Sequence, residues 1–203
     1  MIWWGVDFCY HEIPEKLDVY DNEAFLKNGV PFYAVCSNVE TGEPEYLQMK
    51  DMFADIEILR ASASMPYVSW VVEINGKKYL DGGSTDSIPV EAFRRMGYEK
   101  NVVVLTRDIA YRKKPELRLL SKWMYCKYPA FAKAQAERYL GYNRTVERIL
   151  ELEKEGRVFV IRPSTPPGIG RMERDPQKVR ALYDQGKEDT LRRIQELKAW
   201  LNQ

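Results

Sequence analysis

The 203-residue chain has one histidine, His11, and three cysteines, Cys9, Cys36 and Cys126. With so little imidazole, a Ser-His-Asp triad has one candidate base, and a zinc site built on several histidines has none. His11 lies in CYHEIPEK and reads as a surface or loop residue. The cysteines are odd in number, far apart and free of any Cys-x-x-Cys pair. That excludes a disulfide framework and a thiolate zinc site, and it suits reduced thiols in a cytoplasmic protein. Neither sign of charge dominates: 31 Lys and Arg stand against 30 Asp and Glu, so nothing pulls the whole chain toward nucleic acid. No apolar run approaches the about 20 residues that cross a bilayer. The first residues, MIWWGVDFCYHEIPEK, lack a basic start and a small-residue cleavage site, and they do not read as a signal peptide. Finally, no two of the 12 glycines are four residues apart. The Gly-x-Ser-x-Gly elbow that exposes a serine nucleophile is therefore absent.

What is present is an ordinary globular composition, 45% hydrophobic and 30% charged. The length predicts one domain over 1–203. PFYAVCSNVETG (31–42) and EYLQM (45–49) read as strands. DMFADIEILRASAS (51–64) places Met52, Ile56 and Leu59 on one helical face. SWVVEI and KKYL are β-like runs separated only by Asn75-Gly76, which tolerates the positive φ of a type I′ turn; the pair predicts a β-hairpin over about 69–80. NVVVLT (101–106) and RVFVIR (157–162) are unbroken apolar runs, expected of strands covered on both faces. Helices are predicted over 88–96, over 116–127 (with Leu117, Leu120 and Met124) and over 145–155. Another starts at Asp175-Pro176, a cap followed by a first-turn proline, with Leu191, Ile194, Leu197 and Leu201 on one face. Strands alternating with helices predict an α/β layered fold with a mainly parallel sheet, one hairpin and flanking helices.

The stretch YLDGGSTDSIPV (79–90) sets Asp81 and the only adjacent glycines, Gly82 and Gly83, at a strand end. An aspartate there commonly turns the chain by bonding its own backbone. The other reading is chemical. A carboxylate with an ordinary pKa near 4 is a poor base for an alcohol. It serves only when held within about 2.6–3.2 Å of the hydroxyl in a partly desolvated pocket. A hairpin end gives that rigidity, and the glycines leave room for a substrate. Ser84, in the same loop, reads as a loop hydroxyl rather than the partner of Asp81. Asp81 and Asp86 have no histidine or further acid clustered with them, so no metal site is expected, and no cofactor.

LRASASMP, YLDGGSTDSIPVEAF, NVVVLTRDIAYRKKPE, VFVIRPS and GRMERDP, in that order, resemble the patatin-like phospholipase family, in its bacterial predicted-esterase branch. The resemblance implies hydrolysis of lipid acyl esters by a Ser–Asp dyad without histidine, with Asp81 as the base and Gly82 and Gly83 beside the substrate. It also implies that this chain corresponds to the C-terminal two-thirds or so of such a protein and is inactive alone, because elbow and oxyanion glycines are missing. On that reading an exposed sheet edge calls for self-association, or for cover by Trp3, Trp4 and Phe8. The rival reading is a non-catalytic lipid-binding, regulatory or degenerate module.

Two further signals concern lipid. TRDIAYRKKPELR (106–118) is locally basic; it reads as a solvated connection, with contact to a phospholipid headgroup as the alternative. KWMYCKYPAF (122–131) offers Trp123, Tyr125, Tyr128 and Phe131; these read as core, with an acyl pocket or a peripheral membrane contact as the alternative. Arg60 is expected to pack or to pair with an acid.

Overall fold

The computed structural model describes residues 4–115, 118–170 and 173–203, with the backbone alone for Trp4. In chain order the elements are α1 (Trp4–Asp7), a π-helical segment (Phe8–Leu17), α2 (Asn22–Asn28), β1 (Phe32–Asn38), β2 (Pro44–Met49) and α3 (Ile56–Ser62). There follow β3 (Val72–Ile74), β4 (Lys77–Asp81), a 3-10 turn (Gly82–Ser84), α4 (Val90–Arg95), β5 (Asn101–Val104) and α5 (Arg118–Met124). The chain ends with α6 (Pro129–Lys154), β6 (Val158–Ile161) and α7 (Pro176–Leu201). They fall into two compact units, 1–88 with 114–142, and 89–113 with 143–203.

The first unit is built on a four-stranded antiparallel sheet in the order β2-β1-β4-β3. The expectation of a mainly parallel sheet is thus corrected, and the reason is local. β1 and β2 are joined by residues 39–43 alone, and a parallel pair needs a crossover of a dozen or more. Asn38 begins the turn, with its side-chain oxygen accepting the Glu40 N–H at 2.9 Å. Asn75 (φ 51°) and Gly76 (φ 76°) close the β3–β4 hairpin as a two-residue turn. The hairpin's first strand begins at Val72, not near residue 69.

One face of this sheet carries Cys36, Val72 and Tyr79, packed with Ala61 of α3; Ala34, Met49 and Met52 extend the core toward Phe25. Ile56 is buried on α3 as predicted, whereas Met52, also buried, lies in the turn before the helix, which starts later than the predicted residue 51. Arg60 pairs with Glu57 one helical turn away. Val39, Leu80, Tyr125, Phe131 and Ala132 form a second cluster, in which the rings of Tyr125 and Phe131 meet edge to face at 4.8 Å. Each such fully buried aromatic stabilises by roughly 1.5–3 kcal/mol. Phe8 is exposed, and the expected cover from Trp3 and the Trp4 side chain lies outside the described residues.

The second unit holds the parallel pair β5-β6. Val158, Phe159 and Val160 of β6 are buried, but Val102 and Val104 of β5 are exposed. The expectation that β5 is covered on both faces therefore fails, since among the described residues its sheet has only two strands. Helix α7 starts as predicted: Asp175 Oδ1 accepts the Gln177 N–H at 2.9 Å. Its anchor is Trp200, which packs against Phe159 at 6.0 Å and donates from Nε1 to the Gly156 carbonyl at 2.8 Å. Leu191 and Leu201, two of the four residues on its apolar face, are exposed.

Candidate functional site

Asp81 ends β4 opposite Cys36 of β1. Its backbone is held from both sides: its N–H donates to the Ser64 carbonyl at 2.8 Å, and its carbonyl accepts from Ser37 Oγ at 2.8 Å. Its half-buried side chain caps the turn that follows, Oδ1 accepting the Gly83 N–H at 2.6 Å. This is the local geometry expected of Asp before Gly-Gly. No hydroxyl among the described residues bonds this carboxylate.

The two glycines have different tasks. Gly82 is buried against β1, where an added Cβ would overlap the Val35 carbonyl. Its missing side chain permits backbone packing rather than access. Gly83 faces the carboxylate: a Cβ there would lie 2.9 Å from Asp81 Oδ1 and 3.1 Å from Arg138 Nη2. A carboxylate and a guanidinium thus converge over Gly83. Arg138 lies in α6, 57 positions from Asp81 by subtraction of their numbers, and nothing in the sequence near it signals this meeting.

The rest of the loop is tied down. Thr85 Oγ1 lies 2.8 Å from Ser37 Oγ, and Ser87 Oγ donates to the Gly83 carbonyl at 2.7 Å. Tyr46 OH donates to Asp86 Oδ2 at 2.6 Å, which gives Asp86 a structural role. Ser84 is buried, and its Oγ has no hydrogen-bond partner among the described residues. It makes no hydrogen bond to Asp81.

Beside this loop the sheet carries a polar knot centred on Glu45 of β2. Asn38 Nδ2 donates to Oε1 at 2.8 Å, Tyr79 OH to Oε2 at 2.7 Å, and Lys77 Nζ approaches Oε2 at 3.0 Å. Burial opposes ionisation of Glu45, but these bonds outweigh it and hold the carboxyl below its usual range. The Tyr79 hydroxyl is driven upward by burial and by its bond to that carboxylate. Cys36 is fully buried; desolvation, then the charges of Glu45 and Asp81, push its thiol up to about 12. It is an inert core residue, not a nucleophile.

His11 is exposed, with Nδ1 3.0 Å from Glu15 Oε1. No group of three or more His, Cys, Asp or Glu among the described residues is placed to hold a metal ion. No helix among them is long and apolar enough to cross a membrane.

Comparison with known proteins gives two findings. Residues 128–202 match the family model of a domain of unknown function, DUF6363. The chain is also 30% identical over 105 residues to the "Uncharacterized protein YjjU" of Escherichia coli (strain K12), a match covering 51% of this chain and 28% of that protein. These findings overturn the patatin-like assignment. The matching domain has no known function, the relative is uncharacterized, and neither description is that of a patatin-like phospholipase.

Proposed function

We propose that the loop over 81–87 is the proton-accepting half of an acyl-ester hydrolysis site, with Asp81 as its general base. The observation behind this reading is the placement of the Asp81 carboxylate. It is half-buried at the end of an inner strand, fixed through Oδ1 by the Gly83 N–H, and Arg138 stands alongside. General-base catalysis asks for such a fixed, partly desolvated carboxylate. In the reaction, Asp81 takes the proton of a hydroxyl nucleophile as its oxygen attacks the acyl carbonyl. The alcohol leaves with that proton and an acyl ester remains on the nucleophile. Asp81 then takes a proton from water, whose oxygen attacks the ester; the acid is released and the hydroxyl restored. The absence of a side chain at Gly83 lets the carboxylate and the Arg138 guanidinium close over it. The chain carries no serine in a Gly-x-Ser-x-Gly elbow, so the nucleophile would come from outside these 203 residues.

A second reading, a non-catalytic binding or regulatory module, is favoured by the cap itself, since one carboxylate oxygen already serves the turn. Asp81→Asn separates the two. Asparagine keeps an oxygen for the Gly83 N–H, so the fold should persist while the base is lost. The assay is p-nitrophenyl ester hydrolysis by the chain, alone and co-expressed with a polypeptide bearing the elbow. Activity only in the pair, lost in Asp81→Asn, supports the base. Activity indifferent to that change, or silence in both, removes it.

A further inference from the structure

Helix α5 turns the wrong face inward for a core helix. Its buried residue is Ser121, whose Oγ lies 2.7 Å from Tyr67 OH. Leu119 is 83% exposed and Trp123 76% exposed, and Leu120 and Met124 are exposed as well. A helix packed on a core normally does the reverse. Here a hydroxyl contact and the neighbouring Tyr125, which accepts the Tyr67 N–H at 2.8 Å, anchor the segment, and its apolar side is left to the outside. Alongside runs a groove of about 420 Å³ with Ala132, Ala136 and Tyr125 among its apolar lining and the cations Arg118, Lys122 and Lys133 beside them.

The charge around this face is one-sided. From Lys114 to Lys133 there are five basic side chains and one acidic, in a chain whose net charge is only +1. Cations interleaved with outward leucine and tryptophan are poorly suited to the centre of a protein–protein interface, where lysine is depleted. They suit the boundary of an anionic bilayer. There the apolar groups enter the acyl region, the lysine and arginine stems extend along it, and the charged ends reach the phosphates. Each basic residue near such a surface adds about 1 kcal/mol of attraction.

We propose that α5, with the groove beside it, is a docking surface for an anionic lipid membrane. Leu119 and Trp123 insert, while Arg118, Lys122 and Lys133 pair with lipid phosphates. This surface stands independently of the assignment of Asp81, and vesicle binding tests it without any reading of activity. The full chain is sedimented with phosphatidylcholine vesicles, with and without phosphatidylglycerol, at low and raised salt. Binding is expected only to the anionic vesicles and is expected to weaken with salt. The double substitution Leu119→Ser, Trp123→Ser should weaken it at least about tenfold, given the apolar area lost, and Lys122→Glu should weaken it several-fold. Circular dichroism confirms that the variants fold, and Asp81→Asn should bind like the wild type. Failure to sediment with anionic vesicles would overturn the proposal, as would binding that ignores both substitutions. So would self-association that the double variant abolishes while vesicle binding stays absent, because the face would then belong to a second copy.

Discussion

The loop after β4 and helix α5 lie in the same unit, yet they dispose of polar and apolar groups in opposite ways. Around Asp81 the backbone is pinned from both sides, and Ser37, Tyr46, Thr85 and Ser87 tie the loop to itself and to β1 and β2. In α5 a serine is buried and the large apolar side chains face outward. The first arrangement trades freedom for fixed geometry. The second leaves apolar area in water, at a cost of about 25 cal/mol per Å², which only a partner can recover. Tight loops set the positions of atoms, whereas outward apolar helices wait for a surface.

That contrast can be tested by substitution. The greatest damage should come from Gly82→Ala, where the new methyl meets the Val35 carbonyl and neither backbone can yield. A loss of about 3 kcal/mol or more is expected, read as a shift of the urea midpoint. Next comes Glu45→Gln, which weakens the bonds from Asn38, Tyr79 and Lys77 and should cost about 1–2 kcal/mol at neutral pH. It also has a signature in acid. Because the folded Glu45 carboxyl titrates below its unfolded value of about 4.3, its stabilisation is present above that pH and lost as pH falls through the folded value. Melting profiles from pH 6 downward, a range chosen to span about that unfolded value, should therefore fall more steeply for the wild type than for Glu45→Gln. Smallest of all should be Trp123→Ser, which touches little of the fold and should change unfolding free energy by less than about 0.5 kcal/mol. A large loss there would mean that α5 is part of the core after all.

Much of the fold follows from local chemistry that a reader of the chain can see. Asn75-Gly76 dictates its hairpin, Asp175-Pro176 dictates the start of α7, and the apolar runs at 101–104 and 158–161 do pair in parallel. That parallel pairing does not extend to the four-stranded sheet, because the 39–43 connection, which is also written in the sequence, is too short for a parallel crossover. Helix α5 is a different case. Periodicity places Leu120 and Met124 on one stripe of a helix (Leu117 lies outside the described residues), but periodicity identifies a stripe without saying which side of it is covered. In the aromatic run, Tyr125 and Phe131 are core as expected and Trp123 is not. Arg138 could not be seen at all. Its approach to Gly83 depends on the packing of α6, a helix whose first half gave no pattern beyond its aromatics.

Tyr67 has a backbone φ of 70°, a left-handed conformation that costs a bulky residue roughly 1–2 kcal/mol. What keeps it there is its grip on Tyr125 and Ser121, and only three positions earlier the Ser64 carbonyl holds the Asp81 amide. The bend therefore behaves like a cocked spring with its catch on the outward helix. One residue run, 64–67, thus joins the outward helix to the strand end that carries the carboxylate.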